Sequence, residues 1–344
     1  KMDEFFEVWH MYWMMPYSLA LSVTMIAFEI IAGVALLVGY GFRVFSFLLL
    51  LLTAFFTFLT AYVYLTDKIK DCGCFGDCIK ISNAETFWKD VILLGLVLFL
   101  FMFRRRIKPV FGGYLSTAVI ITSGFLAFGM QWWTLEHLPF YDCLPYKQGN
   151  NLWEKTQLPP GSEPAVYETI LTYEKDGVQK DFTMENYPWQ DTTWKYVDTK
   201  TKLIKEATGE IAIKDFSITD YDGNDHAADI LQAEGYVFLF FVRNTDKART
   251  DNIARLKQLA DQAESYDIPT YILSSDNQER TMAFLQEHDL VKFPAFAVDG
   301  TASKTAMRSN PGLMLLHNGT VQEKWSFRDY PESAVFNNGR LELK

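Results

Sequence analysis

Cysteine and histidine are scarce in this sequence. Its 344 residues include four cysteines and five histidines. No cysteine follows Cys143, so no segment beyond it can run thiol–disulfide exchange alone. Basic residues are outnumbered, 32 Lys and Arg against 42 Asp and Glu, for a formal net charge of −10. That argues against nucleic acid as a partner, because phosphates must be neutralised by cations. Charge is also missing from long runs. Val44–Thr66 holds 23 residues without one charged side chain. A membrane span needs about 20 apolar residues, so this run excludes an ordinary soluble core helix.

The charge shortage is uneven. Residues 1–131 carry ten basic and nine acidic side chains, a net of +1, and residues 132–344 therefore hold −11. The first part reads as a membrane body and the second as an acidic soluble body. Spans are expected over about 17–40, 44–66, 86–103 and 110–133. Glu29 interrupts the first, and Lys89 and Asp90 stand near the start of the third. Trp88, Trp132 and Trp133 suit a membrane interface. Residues 1–16 gather Phe5, Phe6, Trp9, Tyr12 and Trp13, a composition for a short helix lying in that interface.

Orientation follows from basic residues in short connections. Arg43 lies between the first two spans, and Arg104, Arg105, Arg106 and Lys108 lie between the last two. Both connections are expected on the cytoplasmic side. Loop 67–86 and residues 134–344 then lie on the opposite face, with the N-terminus. An outward N-terminus before an inward-running span implies a removed signal peptide or a further helix upstream of Lys1.

The soluble body divides again. Residues 134–210 read as a β-rich connector, with a hairpin turning at Asp176-Gly177. Residues 211–344 read as an α/β domain. FSITDYDGNDH turns at Asp222-Gly223, and GYVFLFFVRN (Gly235–Asn244) is a buried strand. A polar helix is expected over Thr245–Tyr266, a strand over Ile268–Ser275 and a helix over Asn277–His288. A last hairpin turns at Asn318-Gly319. This order resembles the thioredoxin fold, in its membrane-tethered periplasmic form. Pro311 matches the proline that faces the active site in cis in that fold. Where the fold carries CxxC, this chain reads VRNTDKART (Val242–Thr250), which makes the domain a docking module.

The membrane part carries DCGCFGDC (Asp71–Cys78), followed by SNAETFWKD. This loop and the span pattern resemble the DoxX/MauE group of bacterial redox-associated membrane proteins. The nearest pattern is a Bacteroidetes-type branch that joins the helical core to a thioredoxin-like tail. The resemblance implies an α-helical membrane bundle followed by a periplasmic thioredoxin-like domain lacking CxxC. It also implies the bacterial inner membrane, quinone-coupled thiol oxidation, and a periplasmic or membrane protein partner within a larger complex. Cys72 and Cys74 match the pattern, whereas Cys78 and Cys143 do not belong to it.

Three readings of the cysteines stand open. Cys72, Cys74, Cys78 and Cys143 share one face, and four cysteines allow three complete pairings. Two disulfides could staple the loop to the soluble part, as is common outside the cytoplasm. Alternatively Cys72 and Cys74 form a labile catalytic pair, since a Cys-x-Cys ring is small and strained. Lys68, Lys70 and Lys80 would favour a thiolate there, while Asp71 and Asp77 oppose them. Zinc held by three or four thiolates is the third reading, with no histidine close in sequence. Ser82 and Glu85 have capping-box spacing, so the third span should start at Ser82.

A mid-span carboxylate is costly in hydrocarbon, so Glu29 is expected to face the bundle interior. It would exchange protons, contact a quinone head, or bond a hydroxyl such as Thr53, Thr57 or Thr60. His10 and His137 read as solvated interfacial residues, and Gly33 as a packing position.

Overall fold

A computed structural model describes residues 2–344, apart from 67–77, 79–80, 164–165, 176, 185, 190, 206–207, 210, 215 and 338–339. It forms two compact units, Lys1–Leu144 and Pro145–Lys344.

The first unit opens with helix α1 (Met2–Val8) and a 3-10 turn at Tyr12–Tyr17. Trp9 packs on Phe58 and Tyr62, with ring centroids 6.3 and 5.8 Å apart. Four long helices follow: α2 (Ser18–Val38), α3 (Phe42–Thr66), α4 (Asn83–Phe103) and α5 (Gly113–Glu136). Each is long and apolar enough to cross a bilayer, α2 together with the turn before it. The protein is a membrane protein in contact with lipid.

Local chemistry sets the helix ends. α2 stops at Gly39, whose φ is +75°. A Cβ there would fall 2.9 Å from the Lys108 carbonyl oxygen, so both conformation and space require glycine. The Val110 N–H donates to the Val38 carbonyl at 2.9 Å. The two connections that carry the arginines therefore meet at one end of the bundle. α4 begins with the expected capping box. The Ser82 hydroxyl accepts the Glu85 N–H at 3.2 Å, and the Glu85 carboxylate accepts the Ser82 N–H at 2.8 Å. Ser82→Ala is expected to cost about 1 kcal/mol, read as a lower thermal midpoint in detergent.

Small and hydroxyl side chains fill the helix interfaces. Ala27, Ala32 and Ala35 are buried on α2, Ser46, Thr53 and Thr60 on α3, Thr86 and Asp90 on α4, and Ser116 and Ser123 on α5. Such residues let backbones approach closely where lipid offers no hydrophobic driving force. α3 packs on α4, and α2 packs on α5 and α3.

The second unit starts with α6 (Leu152–Thr156), β1 (Val166–Lys175), β2 (Val178–Thr183) and β3 (Lys195–Lys205). The three strands form an antiparallel sheet in the order β2-β1-β3. Lys175 pairs with Val178 and the turn passes through Gly177 at φ +79°; Asp176 lies outside the described residues. The start of α6 and the residues just before it bond to the C-terminal domain. The Gly149 N–H donates to Val321 O at 2.8 Å and Leu152 N–H to Gly319 O at 2.9 Å.

The C-terminal domain continues through α7 (Ala227–Leu231), β4 (Tyr236–Val242), α8 (Ile253–Glu264), β5 (Thr270–Ser274) and α9 (Gln278–Glu287). Then come β6 (Ala295–Ala297), α10 (Gly300–Ala306), β7 (Gly312–His317) and β8 (Thr320–Ser326). A hairpin of β9 (Ala334–Asn337) and β10 (Arg340–Leu343) ends the chain as described. The five-stranded sheet runs β6-β5-β4-β7-β8. β4 is parallel to β5 and antiparallel to β7, which pairs with β8. Val237–Val242 are buried throughout, so β4 is covered on both faces. Phe238, Phe240, Leu259, Ile272, Leu285 and Leu313 form the core. A β4-α8-β5 crossover followed by the β7-β8 hairpin is the thioredoxin-like arrangement. Asn318 (φ 50°) and Gly319 (φ 73°) make the expected tight turn.

Two expectations are corrected here. The segment Thr245–Tyr266 is not one helix: a 3-10 turn at Thr245–Lys247 precedes α8. The Asn310 carbonyl takes the Arg249 N–H at 3.0 Å, which removes that donor from any helix. Around Gly223 the chain forms one bridge, Thr219 to Asp225, rather than a pair of strands.

Candidate functional site

At the other end of the bundle from the arginines, Cys78 is bonded to Cys143, with Cα atoms 5.4 Å apart. This bond ties the loop before α4 to the segment after α5. Cys72 and Cys74 lie outside the described residues, as do Lys68, Lys70, Asp71, Asp77 and Lys80. Pairing arithmetic still limits them. With Cys78 and Cys143 joined, any further disulfide within the chain must link Cys72 to Cys74. The zinc reading loses two of its four thiolates, because a disulfide sulfur does not serve as one. In the segment leading to Cys143, Trp133 stacks on His137 with centroids 3.9 Å apart and on Phe140 at 5.9 Å.

Glu29 departs from the expectation. It is exposed on the described bundle rather than turned inward. Glu29 lies two residues from buried Ala27, about 200° around the helix. The inward face of α2 is taken by alanines, whose close contacts leave no room for a carboxylate. The three candidate hydroxyls bond elsewhere. Thr57 donates to Thr53 O at 2.8 Å, Thr60 to Phe56 O at 3.0 Å, and Thr53 to Leu49 O.

The polar group beside Glu29 comes from α4. Lys89 lies close enough to act on it electrostatically. The Lys89 ammonium also pairs with Asp90 Oδ1 at 2.9 Å. Asp90 is buried, at 4 % exposure, and its Oδ2 has no hydrogen-bond partner among the described residues. The Thr57 hydroxyl reaches the Asp90 carbonyl at 3.4 Å. Glu29, Lys89 and Asp90 thus form one ionisable group of residues within the spans. Sequence reasoning weighed Glu29 alone. The available signal was two charges inside the third span.

The thioredoxin-like domain locks the loop where CxxC would stand. The Asn310–Pro311 peptide is cis, as the resemblance implied. The Asn310 side chain accepts the Asn244 N–H at 3.3 Å and donates to the Asn244 carbonyl at 2.8 Å. Asp276 accepts both the N–H and the hydroxyl of Thr245 at 2.7 Å. Asp246 pairs with Arg280 at 3.0 Å. These partners fill the positions with side-chain amides and carboxylates, none of which can carry electrons.

The fold and these sites define a class: a helical membrane protein with a thioredoxin-like domain that lacks redox thiols. A family model described as methylamine utilisation protein MauE matches residues 1–103. A second model, described as a domain of unknown function (DUF8463), matches residues 167–206, which hold most of the three-stranded sheet. No curated protein matches the chain. Among solved structures, a thiol-disulfide oxidoreductase from Bacteroides fragilis is 18% identical, covering 32% of this chain and 85% of its own, with a TM-score of 0.27. StoA from Bacillus subtilis is 17% identical, covering 32% and 84%, with a TM-score of 0.24. Reduced Prx3 from Vibrio vulnificus is 16% identical, covering 33% and 81%, with a TM-score of 0.27.

Proposed function

We propose that this protein is a redox-associated protein of the bacterial inner membrane, oxidising a partner's thiols through Cys72 and Cys74 on the periplasmic face. The observation that carries this reading is the Cys78–Cys143 bond. It already does the stapling, so the remaining pair is not needed for it. A disulfide between Cys72 and Cys74 would close a small ring, and strained, exposed disulfides are the easily reduced ones. A partner dithiol would reduce it, leaving a partner disulfide and two thiols here. Two electrons and two protons would then pass to a membrane quinone, forming the quinol. Glu29, Lys89 and Asp90 supply groups that can hold those protons within the membrane part. The thioredoxin-like domain would recruit the partner.

The test is acid quenching of cells, tagging of free thiols, and mass spectrometry of each cysteine. Cys72 and Cys74 are expected to be partly reduced, and more so when quinone supply is cut. Cys72→Ser or Cys74→Ser is expected to abolish partner oxidation. Full oxidation of all four cysteines under every condition, or unchanged oxidation in the serine variants, would overturn the reading.

A second reading is favoured by the locked thiol-free loop at Asn244 and Thr245. In it the protein is an accessory subunit that holds an envelope complex together. A stable complex that survives loss of Cys72 and Cys74 would support it.

A further inference from the structure

The charges of the helical unit are sorted along the chain. No Asp or Glu occurs between Glu29 and Asp67, or between Asp90 and Glu136. The basic residues in those two stretches are Arg43, Arg104, Arg105, Arg106 and Lys108. α3 opens at Phe42, α4 closes at Phe103 and α5 opens at Gly113, so all five cations stand at the ends of apolar spans, at headgroup depth. The one acid within α2, Glu29, lies ten residues before Gly39, about 15 Å along the helix.

Packing gathers these cations. The Val110 N–H on the Val38 carbonyl, at 2.9 Å, and Gly39 against the Lys108 carbonyl hold the two connections side by side. Phe47 on α3 meets Phe101 on α4, with ring centroids 6.0 Å apart. Arg43 is one turn before Phe47 on the same helix face. The Arg104 guanidinium lies over the Phe101 ring, 3.8 Å from its centroid, and its Nη1 donates to the Phe101 carbonyl at 2.7 Å. Arg43 and Arg104 therefore cap the same seam between α3 and α4. The Arg43 and Lys108 side chains have no hydrogen bond or ion pair among the described residues.

Like charges gathered without a carboxylate repel one another, and an anion relieves that cost. Arginine presents a planar fork that fits a phosphate with two hydrogen bonds, and stacking on Phe101 holds the Arg104 fork in place. Basic pockets between membrane helices commonly take lipid headgroups. The exposed side chains beside this one are Val110, Phe111 and Tyr114, which suit acyl chains below a headgroup rather than a soluble anion. Membrane topology asks only how many cations a connection holds, whereas a site depends on where each one stands.

We propose that Arg43, Arg104 and Lys108 form a binding site for the phosphate headgroup of an anionic phospholipid, where the α2–α3 and α4–α5 connections meet. The site rests on the bundle alone and does not involve Cys72 or Cys74, so its failure leaves the redox reading intact.

The test uses the full chain in an uncharged detergent. Thermal unfolding is followed as phosphatidylglycerol or, separately, phosphatidylcholine is added at equal mole fraction, with sodium phosphate as a third arm. Phosphatidylglycerol is expected to raise the midpoint in a saturable way, and the other two are not. Arg43→Gln and Arg104→Gln should each weaken that response about tenfold, as loss of a charge-assisted pair does. Arg104→Lys keeps the charge without the fork and should be intermediate. Arg105→Gln, outside the seam, should weaken it much less. Arg43 is exposed, so its variant decides the matter if Arg104→Gln does not fold. An equal shift with phosphatidylcholine or inorganic phosphate, or equal losses in the Arg43, Arg104 and Arg105 variants, would overturn the proposal.

Discussion

Replacing Cys78 and Cys143 together with serine is expected to destabilise the helical unit by about 2–4 kcal/mol while sparing the reactivity of Cys72 and Cys74. The bond closes a loop with a sequence separation of 65. For a random coil, the chain-entropy model gives about 4 kcal/mol for a loop of that size. In a bilayer α4 and α5 stay inserted when their packing is lost, so the reference state is already constrained. The effect should therefore fall toward the lower figure. Single variants should behave worse than the double one. Cys78→Ser leaves Cys143 as a thiol, which on the proposed function would attack the disulfide proposed between Cys72 and Cys74. Thiol trapping should then show Cys143 in mixed pairs, whereas the double variant keeps a simple Cys72–Cys74 pattern. Loss of partner oxidation in a folded double variant would place the catalytic pair elsewhere.

The membrane half was largely legible because its signals are covalently local. Four apolar runs give four helices, Gly39 ends the first and Ser82 starts the third. Asn318-Gly319 gave its hairpin for the same reason, since the turn depends on two residues. Features set by distant contacts were not legible. The break between Thr245 and Ile253 depends on Asn310, far along the chain. Helix α10 is seven residues long, too short for a periodic pattern to show. The inward face of α2 depends on which residues α3 and α5 present, so Glu29 was placed on the wrong side. Cysteine pairing is a matter of spatial proximity, and four cysteines alone left every pairing open.

The ion pair in α4 allows structure and chemistry to be separated. Lys89→Met alone is expected to cost about 3–5 kcal/mol, because it leaves the Asp90 carboxylate buried and uncompensated. Asp90→Leu alone should cost less, since Lys89 is long and about a third exposed, so its ammonium can move toward the interface. Replacing both residues should bring stability back to near that of the parent chain, as buried ion pairs exchanged for apolar residues commonly do. A thermal unfolding cycle in detergent over the four chains reads the coupling directly. Function should not follow stability. If Glu29, Lys89 and Asp90 hold protons for quinone reduction, the stable double variant still exchanges its Cys72–Cys74 disulfide once with an added dithiol. It then stalls, because reoxidation needs the protons moved within the membrane part. Single-turnover oxidation intact with multiple turnover lost is the expected result. Full turnover in the double variant would remove Lys89 and Asp90 from the pathway and leave the pair a structural contact within α4.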